Sequence, residues 1–301
     1  TQGVDELRSL IESAEVETGA RSLLDGFLGN PEHRGHTWRD SVETGISLMK
    51  QLAGDDQSPS EIAELAEIRL RTLDESPEDA REARLEAAAQ REAAGEIEES
   101  LAHYAHLLSI EPESAALAEQ LTELSGRHER WEDLASILSQ TVTDGVAHST
   151  RTSRMAQIAK LHLDHLNSPE GAVSWYERLF ESDPTHAEAF EALTGHYRQR
   201  GLAQDEARIL AALPKQVDGE AALVNRRRLA ALQMDELGEP ESALKLIEMD
   251  LEAAIGDEDL MSRAERLYAH FERYEALVEL YRLALSQEGG SEADRVDLLA
   301  R

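Results

Sequence analysis

The chain has 301 residues, enough for one elongated repeat array or about two globular domains, with 41% hydrophobic residues but only 4% aromatics. Ala, Leu and Glu dominate and favour helix, while Val, Ile and Thr are too sparse for extended sheet, so an all-α fold is expected. Thirty basic against 61 acidic residues leave a formal charge of −31, which argues against nucleic acid as a partner and works against docking to anionic lipid.

In chain order, helices are expected at about 4–14, 20–28, 37–52, 60–74 and 78–94. Gly29-Asn30-Pro31 and the stretch from Gly54 to Pro59 read as turns, and Ser58-Pro59-Ser60-Glu61 supplies an N-cap, a proline and an acidic first turn. Residues 1–77 are expected to be degenerate repeats continuing the same stack as a more regular array over 78–301. From there the chain repeats itself. The turn residues Gly95, Asn167 and Gly238 lie 72 and 71 positions apart and suit the left-handed position that closes a helix. Pro112 and Pro184 are 72 apart, and Pro169 and Pro240 are 71 apart. A second kind of helix begins at Trp131, Ala203 and Tyr274, again at 72 and 71. The period is therefore a pair of unequal helical hairpins, alternating about 34 and 38 residues. Gly145 to Ser149 and Gly289-Gly290 are the later flexible loops.

Phe190, Leu193 and Tyr197 fall on one helical stripe, as do Ala172, Tyr176, Leu179 and Phe180. Small Ala172 and Ala243 let helices approach closely, with Tyr176 and Ile247 filling the space between repeats. One hairpin cannot bury its stripe alone, so neighbours must stack. These residues resemble the tetratricopeptide signature, which runs Trp-x2-Leu-Gly-x2-Tyr, then Ala-x3-Phe, then Pro. Phe190, Leu193, Thr194 and Tyr197 stand at its first four positions, and Ala172, Tyr176 and Pro184 at its last three, as Ser100, Tyr104 and Pro112 do one period earlier. The usual glycine is Thr194 or Lys160, and several first positions are alanine or methionine. The resemblance covers roughly 78–288 and implies a right-handed superhelical α-solenoid of stacked antiparallel hairpins; its long period is similar to that of very large bacterial tetratricopeptide proteins.

Residues that invite chemistry fare poorly. Three His-x-x-His pairs occur, His33/His36, His103/His106 and His162/His165, each with both rings on one helical face. One period on, His103 and His106 become Trp175 and Arg178, and His162 and His165 become Gln233 and Glu236, so these positions accept unrelated chemistry. No metal, cofactor or catalytic site is expected, because nucleophile and phosphate-loop motifs are absent. Trp131, Trp175, Tyr197, Tyr268 and Tyr274 read as core packing, while Trp38 falls in the irregular part. The chain has no cysteine, which excludes disulfides and thiolate sites without fixing a compartment. The cytoplasm is favoured, with an extracytoplasmic placement left open, since a chain running from Thr1 to Arg301 reads as a piece of a longer protein. Lysine is confined to Lys50, Lys160, Lys215 and Lys245, and either a high-salt habitat or a GC-rich genome accounts for it.

What the resemblance implies is a non-catalytic scaffold that takes a protein or peptide partner on the first helices of its hairpins. It places Arg154, Gln157 and Asp164, Glu188, Glu191 and Arg198, Asn225, Arg228 and Asp235, and Asp259, Ser262 and Arg266 on that face. Arg226-Arg227-Arg228, with Arg151 and Arg154, form basic islands that either hold an acidic ligand segment or neutralise neighbouring glutamates. The alternative is a structural spacer or filament segment that self-associates through exposed terminal repeats. A more remote alternative is a metal-dependent or regulatory domain using the histidine pairs.

Overall fold

The computed structural model describes Ser47 and residues 58–70, 77–212, 220–249 and 251–287. The helices expected at 4–14, 20–28 and, apart from Ser47, 37–52 lie outside the described residues, as do His33, His36 and Trp38. Every regular element among the described residues is helical. In order these are α1 (Pro59–Leu70), α2 (Pro77–Ala93), α3 (Ile97–Ile110), α4 (Ala115–Arg127), α5 (Trp131–Gln140), α6 (His148–Asp164), α7 (Pro169–Ser182) and α8 (Ala187–Arg200). Then follow α9 (Ala203–Ala212), α10 (Glu220–Ala231, continued by a π turn at Leu232–Glu236), α11 (Pro240–Glu248), α12 (Leu251–Ile255), α13 (Glu258–His270) and α14 (Tyr274–Gln287). The helix expected at 60–74 is α1 as far as Leu70, with 71–74 outside the described residues, and the helix expected at 78–94 is α2.

The chain divides into two compact units, Thr1–Arg154 with Asp164–Leu166, and Met155–Leu163 with Asn167–Arg301. In the first, α2 packs on both α1 and α3, and α4 on α3 and α5. In the second, α8 packs on α7 and α9, α10 on α11, and α13 on α12 and α14.

Each first helix closes on a residue with positive φ. These residues are Gly95, Glu129, Asn167, Gly201, Gly238 and Glu272, so the spacings along the chain are 34, 38, 34, 37 and 34 residues. The closures come in two widths. At Glu96, Arg130, Leu202 and Arg273 the amide reaches back five residues, to the carbonyls of Arg91, Ser125, Tyr197 and Tyr268 at 2.8–2.9 Å. At Ser168 and Glu239 it reaches back six, to His162 and Gln233, at 2.8 and 2.6 Å. Both forms satisfy carbonyls that a helix end leaves orphaned. The next helix of the alternate hairpins starts from a matching cap: the side chains of Ser114, His186 and Asp257 accept the amides of Leu117, Ala189 and Leu260.

Burial follows the same alternation. Where the signature asks for a small residue, one class of hairpin has Ser100, Ala172 and Ala243, all buried. The Ser100 hydroxyl donates to the Ala88 carbonyl across its hairpin at 2.8 Å, which requires close backbones. The other class has Leu134, Glu206 and Leu277 at those places. The stripe residues Leu179, Phe180, Leu193 and Tyr197 are buried, and a fully buried leucine such as Leu193 contributes about 1.5–3 kcal/mol. Tyr197 and Tyr268 are also buried, and their hydroxyls donate to Glu177 and Glu248, each twenty residues earlier, at 2.6 and 3.3 Å. One period before Tyr197 stands the buried Ser125, whose hydroxyl has no partner.

The aromatics depart from expectation in part. Trp131 and Trp175 are half-buried; the first stacks on His165 with centroids 3.7 Å apart, the second lies under the Arg178 guanidinium at 4.1 Å. Tyr274 is 61% exposed, because it opens α14 ahead of the buried stripe carried by Leu280 and Ala284.

Left-handed backbone is strained for glutamate but not for glycine. Glu129→Gly and Glu272→Gly are each expected to stabilise the chain by about 0.5–1 kcal/mol. The check is a higher urea midpoint for each variant at unchanged helical circular dichroism.

Candidate functional site

The face assigned to partners is built from the first helices, and the structure places its residues in different settings. Arg154, on α6 in the first unit, is only 4% exposed. Its Nη2 donates to the Ser114 carbonyl at 3.5 Å, and burial pushes its pKa down. The other seven chosen residues lie in the second unit. Gln157 is half-buried and engaged within the chain. Glu188 is half-buried and takes the Tyr176 hydroxyl at 2.7 Å and Lys160 Nζ at 3.0 Å. Burial raises its carboxyl pKa, but these two donors outweigh burial and hold it below the ordinary value. Glu191 and Ser262 are exposed, and Asn225 is half-buried. Arg266 is exposed, 3.6 Å from Asp235, a carboxylate that also takes Arg263 at 2.6 Å.

Arg228 points to its own chain. Its Nε and Nη2 donate to Glu206 at 2.9 and 2.7 Å, and its Nη1 lies 3.5 Å from Glu236. Arg198 donates to the same Glu206 at 3.0 Å, and Arg227 pairs with the buried Asp257. The arginine run therefore neutralises internal carboxylates at Arg227 and Arg228, the second of the two roles open to it on sequence grounds.

Glu206 was not among the residues singled out from sequence, yet it is the most enclosed carboxylate of the network, at 1% exposure. The signal was present in the self-alignment, where it interrupts a row of leucines at Leu134 and Leu277. Burial raises its pKa, and the two guanidinium groups of Arg228 and Arg198 reverse that and hold it below the ordinary glutamate value. A second such cluster joins α1, α2 and α3. There Arg91 grips Glu67 at 2.9 Å and also Glu96, and His103 Nε2 lies 3.1 Å from Glu67. Burial keeps the His103 pKa below the usual imidazole value.

The remaining histidines of the pairs take up separate roles. His162 lies over Gly171, where a Cβ would come within 2.5 Å of its Nδ1, while His165 stacks on Trp131. Among the described residues no group of three or more His, Asp or Glu is arranged to hold a metal ion, and no helix is long and apolar enough to cross a membrane. These clusters join helices by charge-assisted hydrogen bonds.

No protein-family model matches the chain, and no curated protein matches it. Solved structures do align with it. A tetratricopeptide repeat protein from Parabacteroides merdae is 14% identical, over 100% of this chain and 98% of its own, with a TM-score of 0.29. The tetratricopeptide domain of P58(IPK) is 12% identical, over 99% and 96%, with a TM-score of 0.26. BtubC (BKLC) from P. vanneervenii is 13% identical, over 90% and 91%, with a TM-score of 0.26. The fold of the described residues is an all-helical, tetratricopeptide-like repeat of antiparallel hairpins. That statement rests on its own hairpins, their left-handed closures and their buried signature positions.

Glu206→Ala is expected to destabilise by about 1–3 kcal/mol, because it leaves a cavity, strips Arg198 of its carboxylate and leaves Arg228 only Glu236 at 3.5 Å. Glu206→Leu, matching Leu134 and Leu277, is expected to cost less, since both arginines reach solvent. A carboxylate whose folded pKa lies below its unfolded value adds stability above that unfolded value and loses it as pH falls through the folded one. Glu206→Gln should therefore flatten the loss of stability below about pH 4.5, the ordinary glutamate value, in urea titrations run across that range.

Proposed function

We propose that this chain is a non-catalytic protein-interaction scaffold that takes a peptide or protein partner against the first helices of its hairpins. The observation that carries the reading is the contrast along those helices. One stripe is buried in the stack, while Glu191, Ser262 and Arg266 stand exposed at repeat-equivalent faces. Gln157, Asn225 and Glu188 lie at the margin of that face, half-buried.

The charge balance narrows the partner. Most arginines of the described residues contact a carboxylate of the same chain, yet acidic residues outnumber basic ones by 61 to 30. A partner with net positive charge is favoured at long range, and salt should slow its association. Arg154 and Arg228 are unsuited to charge reversal as a test, because one is buried and the other braces Glu206. Glu191→Lys combined with Ser262→Lys is suited to it. Screening the chain against a peptide library of varied charge should yield basic binders that the double variant holds at least about tenfold more weakly, at unchanged circular dichroism. Binders indifferent to both substitutions would remove the first-helix face from the reading.

A second reading, a spacer or self-assembling segment, draws on α14. Tyr274 and Val278, one turn apart, are exposed large hydrophobics there. If they stack against a second copy, light scattering should rise with concentration for the parent chain and stay at the monomer value for Val278→Glu.

A further inference from the structure

His162 occupies a position at which the repeat otherwise places glutamine: Gln90 stands there one period earlier and Gln233 one period later. His162 and Gln233 both give their backbone carbonyl to a six-residue closure, taking the Ser168 amide at 2.8 Å and the Glu239 amide at 2.6 Å. Both also hold a buried side-chain atom with no hydrogen-bond partner, Nδ1 in His162 and Oε1 in Gln233. The two hairpins are thus built alike at this joint, with one difference. A glutamine cannot change its charge, whereas an imidazole does so near neutral pH.

The ring is held against the start of α7. A Cβ on Gly171 would fall 2.5 Å from His162 Nδ1 and 2.9 Å from its Cε1, so glycine is what lets the ring lie there. The residues equivalent to Gly171 are Glu99 and Ser242, and the pairing of histidine with glycine is particular to this hairpin. A neutral imidazole can keep its one proton on Nε2 and leave Nδ1 bare, but an imidazolium carries a proton on both nitrogens. That second N–H would be buried without an acceptor, beside the positive end of a helix of 14 residues. Ser168, the N-cap, makes no side-chain bond to that end. The surrounding charges give no compensation. On α7, Glu170 bonds its own amide and takes Arg200 of α8 at 2.5 Å, with His196 of α8 also acting on it. On α6 itself, Lys160 pairs with Glu188 of α8 at 3.0 Å, Asp164 is exposed, and His165 stacks on Trp131. Burial, with no charged group contributing, holds the His162 pKa below its ordinary value of 6.5.

We propose that His162 makes the closure between α6 and α7 a proton-operated joint, which loosens in mild acid while the closure between α10 and α11 stays shut. The opened joint takes up a proton at the ordinary imidazole value of 6.5, and the closed joint does so only at lower pH. Opening is therefore favoured as pH falls below that value, and the effect levels off once the closed joint is protonated too. This range lies above the one in which Glu206 loses its contribution, below the ordinary glutamate value of 4.5. His103 and His106, also held below 6.5 by burial, titrate in the same range as His162, so the readout has to be local to the joint.

Amide hydrogen exchange, resolved by NMR on the full chain and corrected for the intrinsic dependence of exchange on pH, supplies that readout. Protection of the Ser168 amide should fall at least about threefold between about pH 7.5 and about pH 5, while protection of the Glu239 amide holds. His162→Gln, the residue the repeat uses elsewhere, should keep the closure and remove the fall at Ser168. Gly171→Ala should push the ring away from α7 and return the titration of its Cε1–H to the ordinary value of 6.5. Equal falls at Ser168 and Glu239, or a fall at Ser168 that survives His162→Gln, would overturn the joint. Should either variant fail to fold, the parent chain decides. A His162 Cε1–H that titrates at or above the ordinary value overturns the proposal; one that titrates below it, in step with the loss of Ser168 protection, upholds it.

Discussion

The left-handed closure after each first helix is the constraint on which the other features depend. It ends the helix, satisfies its orphan carbonyls and reverses the chain within a few residues, so its spacing sets which side chains meet across the hairpin. Two closure widths, five and six residues, accompany the alternation of spacings. Position by position, the six-residue form occurs where α6 and α10 run long before turning, with a π turn at Leu232–Glu236 in the second case. The small-residue contact then holds at Ser100, Ala172 and Ala243 but gives way to Leu134, Glu206 and Leu277 in the intervening hairpins. Two kinds of hairpin interior follow from that substitution.

Electrostatics inside the stack are less uniform than the net charge implies. Glu206, Glu67 and Asp257 are enclosed or partly enclosed carboxylates, each held by arginine from another helix. Such pairs add specificity of register more than net stability, because desolvation cancels much of their attraction. Arginine suits these sites because its fork can grip a carboxylate with two parallel bonds, as Arg228 does on Glu206.

Much of this was legible in the residues. The period, the positions of Gly95, Asn167 and Gly238, and the buried roles of Tyr176, Tyr197 and Ala172 all follow from patterns in which one residue type serves one backbone or packing need. The left-handed Glu129 and Glu272 were not legible, since glutamate has no preference for that conformation and only the hairpin's closure imposes it. Tyr274 reads like its repeat mates in sequence yet stands exposed, because burial there depends on what packs over the start of α14.

The candidate face divides along the same line. Sequence determined by itself that the chain is helical and that its hairpins repeat in pairs of about 72 residues, because helical periodicity and turn chemistry are local. Whether a charge on that face is free or taken was decided only by the tertiary structure. Arg154, Arg227 and Arg228 look alike in sequence; one is buried without a carboxylate, and two are clasped by Asp257 and Glu206 from other helices. The physical reason is that the partner of a charged side chain here is set by which helices stack side by side, and a contact 22 or 30 residues away leaves no mark on the local pattern.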